Sequence, residues 1–562
     1  MFIQEIPMLK YLRDNSFIIA ILILAGFLRL WSLSSVPPSP SLDEVSIGYN
    51  AFSLLHTGRD EYGYFMPILL RAYDDWRPIL YVYLTVPFVG IFGLSSLAVR
   101  FPSVLLSLMT IYISVLLVPL LLKKKMIIIN YELNIKIIAA ATAFLVSISP
   151  WQIYLSRLGH EVNLGLFLTV LGIYLFLCAV INQKKRTLVV SGLIFALCFY
   201  SYQSQKVIIP ILMISLVILY FKELYKFGRW SVFATLLFIC VVLPALITSL
   251  SPQGMTRFNG TSVFSANQSA YSISAQALLR SKNEGNIFGE IYYNRRFVPL
   301  WIISSQYISH FNPQWMFMGE SRENHKVPFM GLLYYFEAPF IVLGILFFFL
   351  SKLDRRIKIF VAIWFLSSPL PGAITTDAPH AMRSYTFIPL LQMFEALAIV
   401  FVLSYCKKMR LIFPAAIVFA LIVVASLWQL WVNYFYVFPK TQADSFQSSL
   451  FQSMKYLKEH ENDYDSIVIS NERNLYQSYM YYLFTSSFNP ALYQSMGGTK
   501  SGGFAEEHRI GKIVFRPIGW NTEKKQARIL YIGNGDDFTG SPTVKDFYYP
   551  DGKPGVSVIS YD

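Results

Sequence analysis

Long apolar stretches separated by short basic clusters run along most of this chain. The stretches lie near 15–34, 99–122, 134–149, 163–181, 187–201, 207–221, 231–250, 329–350, 357–371, 385–404 and 411–434. They approach or meet the roughly 17–25 residues needed to cross hydrocarbon as a helix. The clusters between them are Lys10 with Arg13, Lys123–Lys125, Lys184–Arg186, and Lys222, Lys226 and Arg229. Two more follow: Lys352, Arg355, Arg356 and Lys358, then Lys407, Lys408 and Arg410. Each comes after an even number of spans, so the positive-inside rule puts them all on the cytoplasmic face. Pro78–Ser95 is apolar enough to compete as a span, but counting it would invert every later cluster. Its two prolines and flanking Arg77 and Arg100 read better as a helix in the outer interface. The pattern predicts about eleven spans, a cytoplasmic N-terminus and an external C-terminus in a multi-pass cell-membrane protein.

External mass is then expected in loops 35–98, 150–162, 251–328 and 372–384 of a membrane domain at 1–435. A small α/β domain at 436–562 follows them. That tail is polar and Gly-punctuated, with β-like runs at Ser466–Ser470, Lys512–Phe515, Arg528–Ile532 and Val556–Ser560. Phe446, Leu450, Phe451, Met454 and Leu457 form a helical stripe. No internal repeat is visible, and residues 15–34 lack the small-residue motif of a cleavable signal peptide.

Composition agrees with the pattern. Only 14% of the 562 residues are charged, too few to cover a soluble protein of this size, and mean hydropathy is +0.47. The net charge of +14 sits in the loop clusters, which argues for membrane topology and against nucleic acid. Cys178, Cys198, Cys240 and Cys406 lie in or beside apolar runs with no metal or disulfide spacing.

Polar chemistry therefore belongs at the outer face. Ser41-Leu42-Asp43-Glu44 reads as a capping box opening a helix that ends near Gly58, with Val45, Ala51, Phe52 and Leu55 as an apolar side to lie on the membrane. Asp43 and Glu44 serve equally as a catalytic pair or as a cap and a dipole partner. Glu161 stands at the outer start of a span, with Arg157 close enough for an interfacial ion pair. Asp75 and Arg77 lie further along loop one. Lys206 stands at the outer mouth of one span. His380 and Arg383, three residues apart, could share a helix face toward one anion or merely snorkel to headgroups. Glu337 and Glu395 fall inside apolar runs and need partners, Glu337 being the better site candidate and Glu395 a paired structural group. Asp43, Glu44 and Glu161 could hold a divalent cation with waters, but no spacing demands a metal or any other cofactor.

With these residues placed, the sequence resembles the GT-C superfamily of membrane glycosyltransferases, within it the protein O-mannosyltransferase and lipid A aminoarabinose-transferase group. The resemblance rests on Asp43-Glu44, the run Gly58-Arg59-Asp60-Glu61-Tyr62-Gly63, Arg77-Pro78-Ile79-Leu80-Tyr81, Ala98-Val99-Arg100-Phe101-Pro102-Ser103, and Ser156-Arg157 followed by Glu161. It covers about residues 15–400. It implies a polyprenyl-phosphate-linked sugar donor and inverting transfer on the outer face to a protein, lipid or glycan acceptor. By that resemblance Asp43 is the catalytic carboxylate and Glu161 a second acid, with Glu44 beside them. Arg77, Lys206, His380 and Arg383 fall at basic positions around the donor phosphate. The chain departs from the family in having Asp-Glu instead of Asp-x-Asp, and Trp76-Arg77 where the aminoarabinose enzymes carry an acid and a Lys. A transporter or lipid flippase would show matching halves and broken midplane helices, which this sequence lacks. A scaffold would hardly need so many spans, and an O-antigen ligase or polymerase would be expected to use Arg-rich loops without the Asp-Glu helix start.

Overall fold

A computed structural model of the protein describes residues 16–122, 126–128, 131–263, 268–323, 325–503, 506–538 and 540–561. Lys10, Arg13 and Lys123–Lys125, which entered the charge count, lie outside them. Each expected apolar stretch contains a helix, from Ser16–Leu30 to Ile412–Trp431. Among the described residues five helices are each long and apolar enough to cross a membrane, and two bent pairs, each taken as one span, raise this to seven. The pairs are Ile135–Ile148 with Pro150–Ser156, bent by 58°, and Gln205–Leu219 with Phe221–Phe227, bent by 79°. Length and composition make this a multi-pass membrane protein without by themselves reaching eleven crossings.

Two stretches depart from the sequence reading. The expected span 329–350 is helical only from Glu337. Before it, Leu333 donates its amide to Met316 O and Leu332 accepts from the Trp151 amide, so this backbone is committed to neighbouring loops. At 435 the final membrane helix does not stop, but continues through a π-turn and Phe438–Thr441.

Leu80–Phe92 is a helix of 13 residues. At 1.5 Å per residue it reaches about 20 Å, short of the ~30 Å hydrocarbon core, in keeping with an interfacial role. The loop-one helix runs Leu42–Thr57. Ser41 Oγ accepts from the Glu44 amide, Glu44 answers on the Ser41 amide, and Gly58 closes the helix at φ 67°. Of its expected apolar side, Val45 and Ala51 are buried, Phe52 is half-buried and Leu55 is 43% exposed. Val45, Ile47, Tyr49, Ala51 and Leu54 are all buried, because the helix is sandwiched between Ser96–Leu122, Leu80–Phe92 and the tail.

The tail is built on a six-stranded sheet with Ser466–Ile469 parallel to both Ile513–Phe515 and Ile529–Asn534. His508–Ile510, Pro554–Ser560 and Lys545–Tyr548 add antiparallel edges. Every expected β-like run is a strand. The predicted stripe places Leu450, Met454 and Leu457 in the core from the helix Ser448–His460. The neighbouring helix Ser478–Ser486 lies on loop one, so close that a Cβ on Gly48 would stand 2.6 Å from the Phe484 ring.

Glu61 ties the two together. Its buried carboxylate accepts from Asn50 Nδ2 at 3.0 Å, Thr499 Oγ1 at 2.8 Å and Tyr479 Oη at 3.3 Å. Burial pushes this carboxyl up to about 7 despite those donors, and pushes neighbouring Asp60 up to about 6. A carboxyl raised above its unfolded value stabilises fully below that value and loses the contribution as pH rises through the folded value. The loop–tail contact should therefore weaken between about pH 4.5 and pH 7, by about 3 kcal/mol for Glu61 at most. Glu61→Gln is expected to flatten this slope in thermal unfolding from pH 5 to 8. An unchanged slope would assign the pH dependence elsewhere.

Candidate active site

Local geometry separates the two adjacent acids. Successive helix positions point about 100° apart, so Asp43 and Glu44 face different neighbours. Glu44 turns inward and is wholly engaged. Arg100 Nε donates to its Oε1 at 2.7 Å and Nη2 to its Oε2 at 3.1 Å, while the Gly159 amide donates to Oε1 at 2.8 Å. The group is 1% exposed, and these contacts hold the helix start against Arg100 and the Gly159 turn. A Cβ on Gly159 would stand 2.5 Å from Val99, which keeps that amide within reach of Glu44.

Asp43 turns outward, its side chain 34% exposed. Facing it is the hairpin Leu69–Ala72 and Asp75–Pro78. The two-residue period of a strand sets Asp75 and Arg77 on one side. Arg77 Nη1 stands 2.6 Å from Asp43 Oδ1, and Arg77 Nε 3.5 Å from Asp75 Oδ2. Burial alone would lower the Arg77 guanidinium, but Asp43, Glu161 and Asp75 together raise it, so it stays a cation at every working pH. Expected at the donor phosphate, Arg77 is here surrounded by Asp43, Asp75 and Glu161.

His160 completes this group. Its Nε2 lies 3.8 Å from Asp43 Oδ2 and its Nδ1 3.4 Å from Glu161 Oε2. The Val162 amide also reaches Nδ1, at 3.2 Å. Glu161 is only 4% exposed and lies behind His160, so of the two expected acids Asp43 alone is open to a reactant.

Past His160 the Tyr202 ring, 5.7 Å away, begins a cavity of about 240 Å³. Gln203, Lys206 and Arg383 supply its polar wall, and Val207, Leu250, Met255 and Phe258 its apolar one. Arg383 Nη1 donates to Thr375 Oγ1 and Thr376 O, held where a strap at 261–263 pairs with 374–376. His380 and Arg383 do not share a helix face, because 380–384 is a turn closed by the Ser384 amide on His380 O. Both nevertheless border His325, whose ring lies 5.0 Å from that of His380. Burial, reinforced by His160, pushes His325 down to about 4, so it is neutral at physiological pH.

The remaining candidates fall elsewhere. Arg157 is buried and donates to the carbonyls of Leu28, Arg29 and Val36, stapling the end of the first span, with no ion pair to Glu161 among the described residues. Glu337 is buried against Glu395 inside the helix bundle, not at the cavity. Asp43, Glu44 and Glu161 do not converge on one point, and among the described residues no group of three or more His, Cys, Asp or Glu is placed to hold a metal. Sequence reasoning missed His160, although it directly precedes Glu161, and His325, for which no periodicity gave a signal. It also missed Tyr476 of the tail, whose hydroxyl, raised chiefly by burial, lies close enough to Asp43 to be raised further by its charge.

No protein-family model and no curated protein matches the chain in sequence. Solved structures do match in shape. Oligosaccharyltransferase from Archaeoglobus fulgidus in complex with Zn and sulfate aligns at TM-score 0.48 and 13% identity, over 96% of this chain and 72% of that one. The same enzyme tethered with an acceptor peptide aligns at 0.47 and 13%, over 85% of this chain, which spans only 64% of that protein's length. ArnT from Cupriavidus metallidurans bound to undecaprenyl phosphate gives 0.49 at 10% identity, over 97% and 98% of the two chains. In its apo state ArnT gives TM-score 0.53 at 10% identity over the same shares, so nearly the whole of each chain takes part in the likeness. At this TM-score the chain shares the fold of ArnT.

Proposed function

We propose that this protein is an inverting glycosyltransferase that moves a sugar from a polyprenyl-phosphate donor to an acceptor at the outer face of the membrane. One observation carries the reading: the open carboxylate of Asp43, held by Arg77, lies beside His160, whose ring neighbours Tyr202 in the wall of a cavity that also holds Lys206 and Arg383. The shared fold supports it, since ArnT has been solved with undecaprenyl phosphate bound.

The chemistry asks for this division. The bond from the anomeric carbon to the phosphate oxygen breaks while a bond to the acceptor oxygen forms, and positive charge develops on the sugar. Asp43 Oδ2 takes the acceptor's proton, with Oδ1 held on Arg77. The leaving phosphate gathers negative charge, and Lys206 and Arg383 meet it from the cavity wall. Arg77 thus orients the base, and Glu161 holds Arg77 and His160 in place from behind. A lipid tail suits the cavity's apolar wall, which explains why the enzyme is embedded in the membrane that holds its donor.

The double variant Lys206→Ala/Arg383→Ala is expected to raise the donor KM about ten-fold or more, since each cation removes a charged contact. The assay uses purified protein in nanodiscs with polyprenyl-phosphate-linked hexoses and pentoses. It follows release of polyprenyl phosphate and the anomeric configuration of the product. An unchanged donor KM, or retention of configuration, would overturn the reading.

A further inference from the structure

Between the spans Arg229–Leu250 and Glu337–Leu350, the chain forms the helices Gln268–Asn283, Ile287–Tyr292 and Val298–Ser309. They enclose little of their own. The core of this segment is Val263, Val298 and Ile302, with Tyr271 and Ile303 packed on them. Outside stand Phe288, 86% exposed, and Ile287, Leu300, Trp301 and Ile308, each more than half exposed. Phe288, Tyr292, Phe297, Leu300 and Trp301 wall an open trough of about 780 Å³ that none of the site residues lines. A continuous aromatic and aliphatic surface of this kind marks a face that something covers.

The fold ties that face to a neighbouring helix. Tyr307 Oη donates at 2.7 Å to Leu366 O, in the last turn of the helix Arg355–Ser367, and the Phe311 and Phe365 rings meet at 5.7 Å. The charge pattern of the sequence assigns Lys352–Lys358 to the cytoplasmic side, and this last turn lies at the opposite end of the helix. Over 268–309 the exposed cations Arg280, Lys282, Arg295 and Arg296 stand against Glu284 and Glu290, a net of +2, although within 284–304 the two arginines and two acids balance. Arg295 and Arg296 sit in the bend that leads into Phe297 and the trough. Amphipathic aromatics with arginines beside them are the chemistry of a lipid–water interface.

We propose that residues 284–304 dock on the outer leaflet, the trough taking acyl chains and Arg295 and Arg296 the phosphates of anionic phospholipid. This external segment then lies in the interface instead of in water, and it steadies the strap at 261–263 that borders the cavity. The inference depends on the membrane placement alone and stands or falls apart from the transfer reaction.

The test uses full-length protein freed of its four cysteines, carrying a bimane probe at Phe288→Cys or, should that variant fail to fold, at Trp301→Cys. Nanodiscs hold phosphatidylcholine with or without phosphatidylglycerol, and either lipid is brominated in its acyl chains. The probe is expected to be quenched by brominated chains and shielded from iodide, and a probe at exposed Thr543→Cys on the tail to behave the opposite way. Charges near a membrane surface carry about a five-fold preference each, so Arg295→Gln and Arg296→Gln should each cut the preference for phosphatidylglycerol by about that factor. Quenching by iodide and not by lipid would overturn the proposal. So would a lipid preference untouched by both arginine variants, or shielding traced by cross-linking to a second copy.

Discussion

Asp43→Asn is expected to lower kcat for sugar transfer by about 10²–10⁴-fold, the ordinary contribution of a positioned general base. That loss corresponds to about 3–5 kcal/mol of barrier. The substitution keeps the size of the side chain and a carbonyl oxygen for Arg77, so folding should survive. It removes the lone pair that accepts the acceptor's proton. Arg77 retains Asp75 at 3.5 Å and the charge of Glu161, so its guanidinium is not stranded. Because Lys206 and Arg383 hold the phosphate on a separate wall, the donor KM should hardly move. Glu161→Gln serves as the comparison: that carboxylate lies behind His160 and is closed to reactants, so its loss should cost less than that of Asp43. The measurement is steady-state transfer alongside thermal unfolding of each variant. Full turnover by Asp43→Asn would move the base elsewhere in the site.

Most of the architecture was legible because its signals are local. A capping box needs only four residues, and Ser41 with Glu44 closes as the spacing predicts. Apolar runs and β-branched stretches such as Ser466–Ile469 likewise declare their own structure. What stayed hidden was pairing at long range. Nothing local reveals that a hairpin swings Arg77 to 2.6 Å from Asp43. Arg157 looked like an ion-pair partner for Glu161, but its donors go to carbonyls more than a hundred residues away. The same blindness hid the tail's descent onto loop one through Glu61 and Gly48, and with it the approach of Tyr476 to the site. A helix that reads as free to lie on lipid was in fact half of an interface whose other half begins some 400 residues later, where Phe446 O accepts from the Ser39 hydroxyl.

The largest effect on stability is expected from Arg100→Met. Arg100 is 0% exposed and Glu44 1%, and the guanidinium binds more than its carboxylate: Nη1 donates to Leu33 O at 2.9 Å and Pro37 O at 3.1 Å, and Nη2 to Ser39 O at 2.7 Å. Removing it strands a buried carboxylate and three carbonyls together, and breaking a buried pair from one side costs about 3–5 kcal/mol. Glu44→Gln should be milder, since the amide still accepts from Arg100 and Gly159 and the cation keeps its carbonyls. Asp43 directly precedes Glu44 in the helix, so even Glu44→Gln should reduce kcat by tilting the helix start, with little change in donor KM. The double variant Glu44→Gln/Arg100→Met should be less damaging than the sum of the two singles, because groups in direct contact are not additive and Met leaves no unpaired charge once Glu44 is neutral. Thermal unfolding in nanodiscs across this cycle separates the outcomes. Strict additivity would mean that the two groups stabilise the protein independently and that the helix carrying Asp43 is held by something other than their pairing.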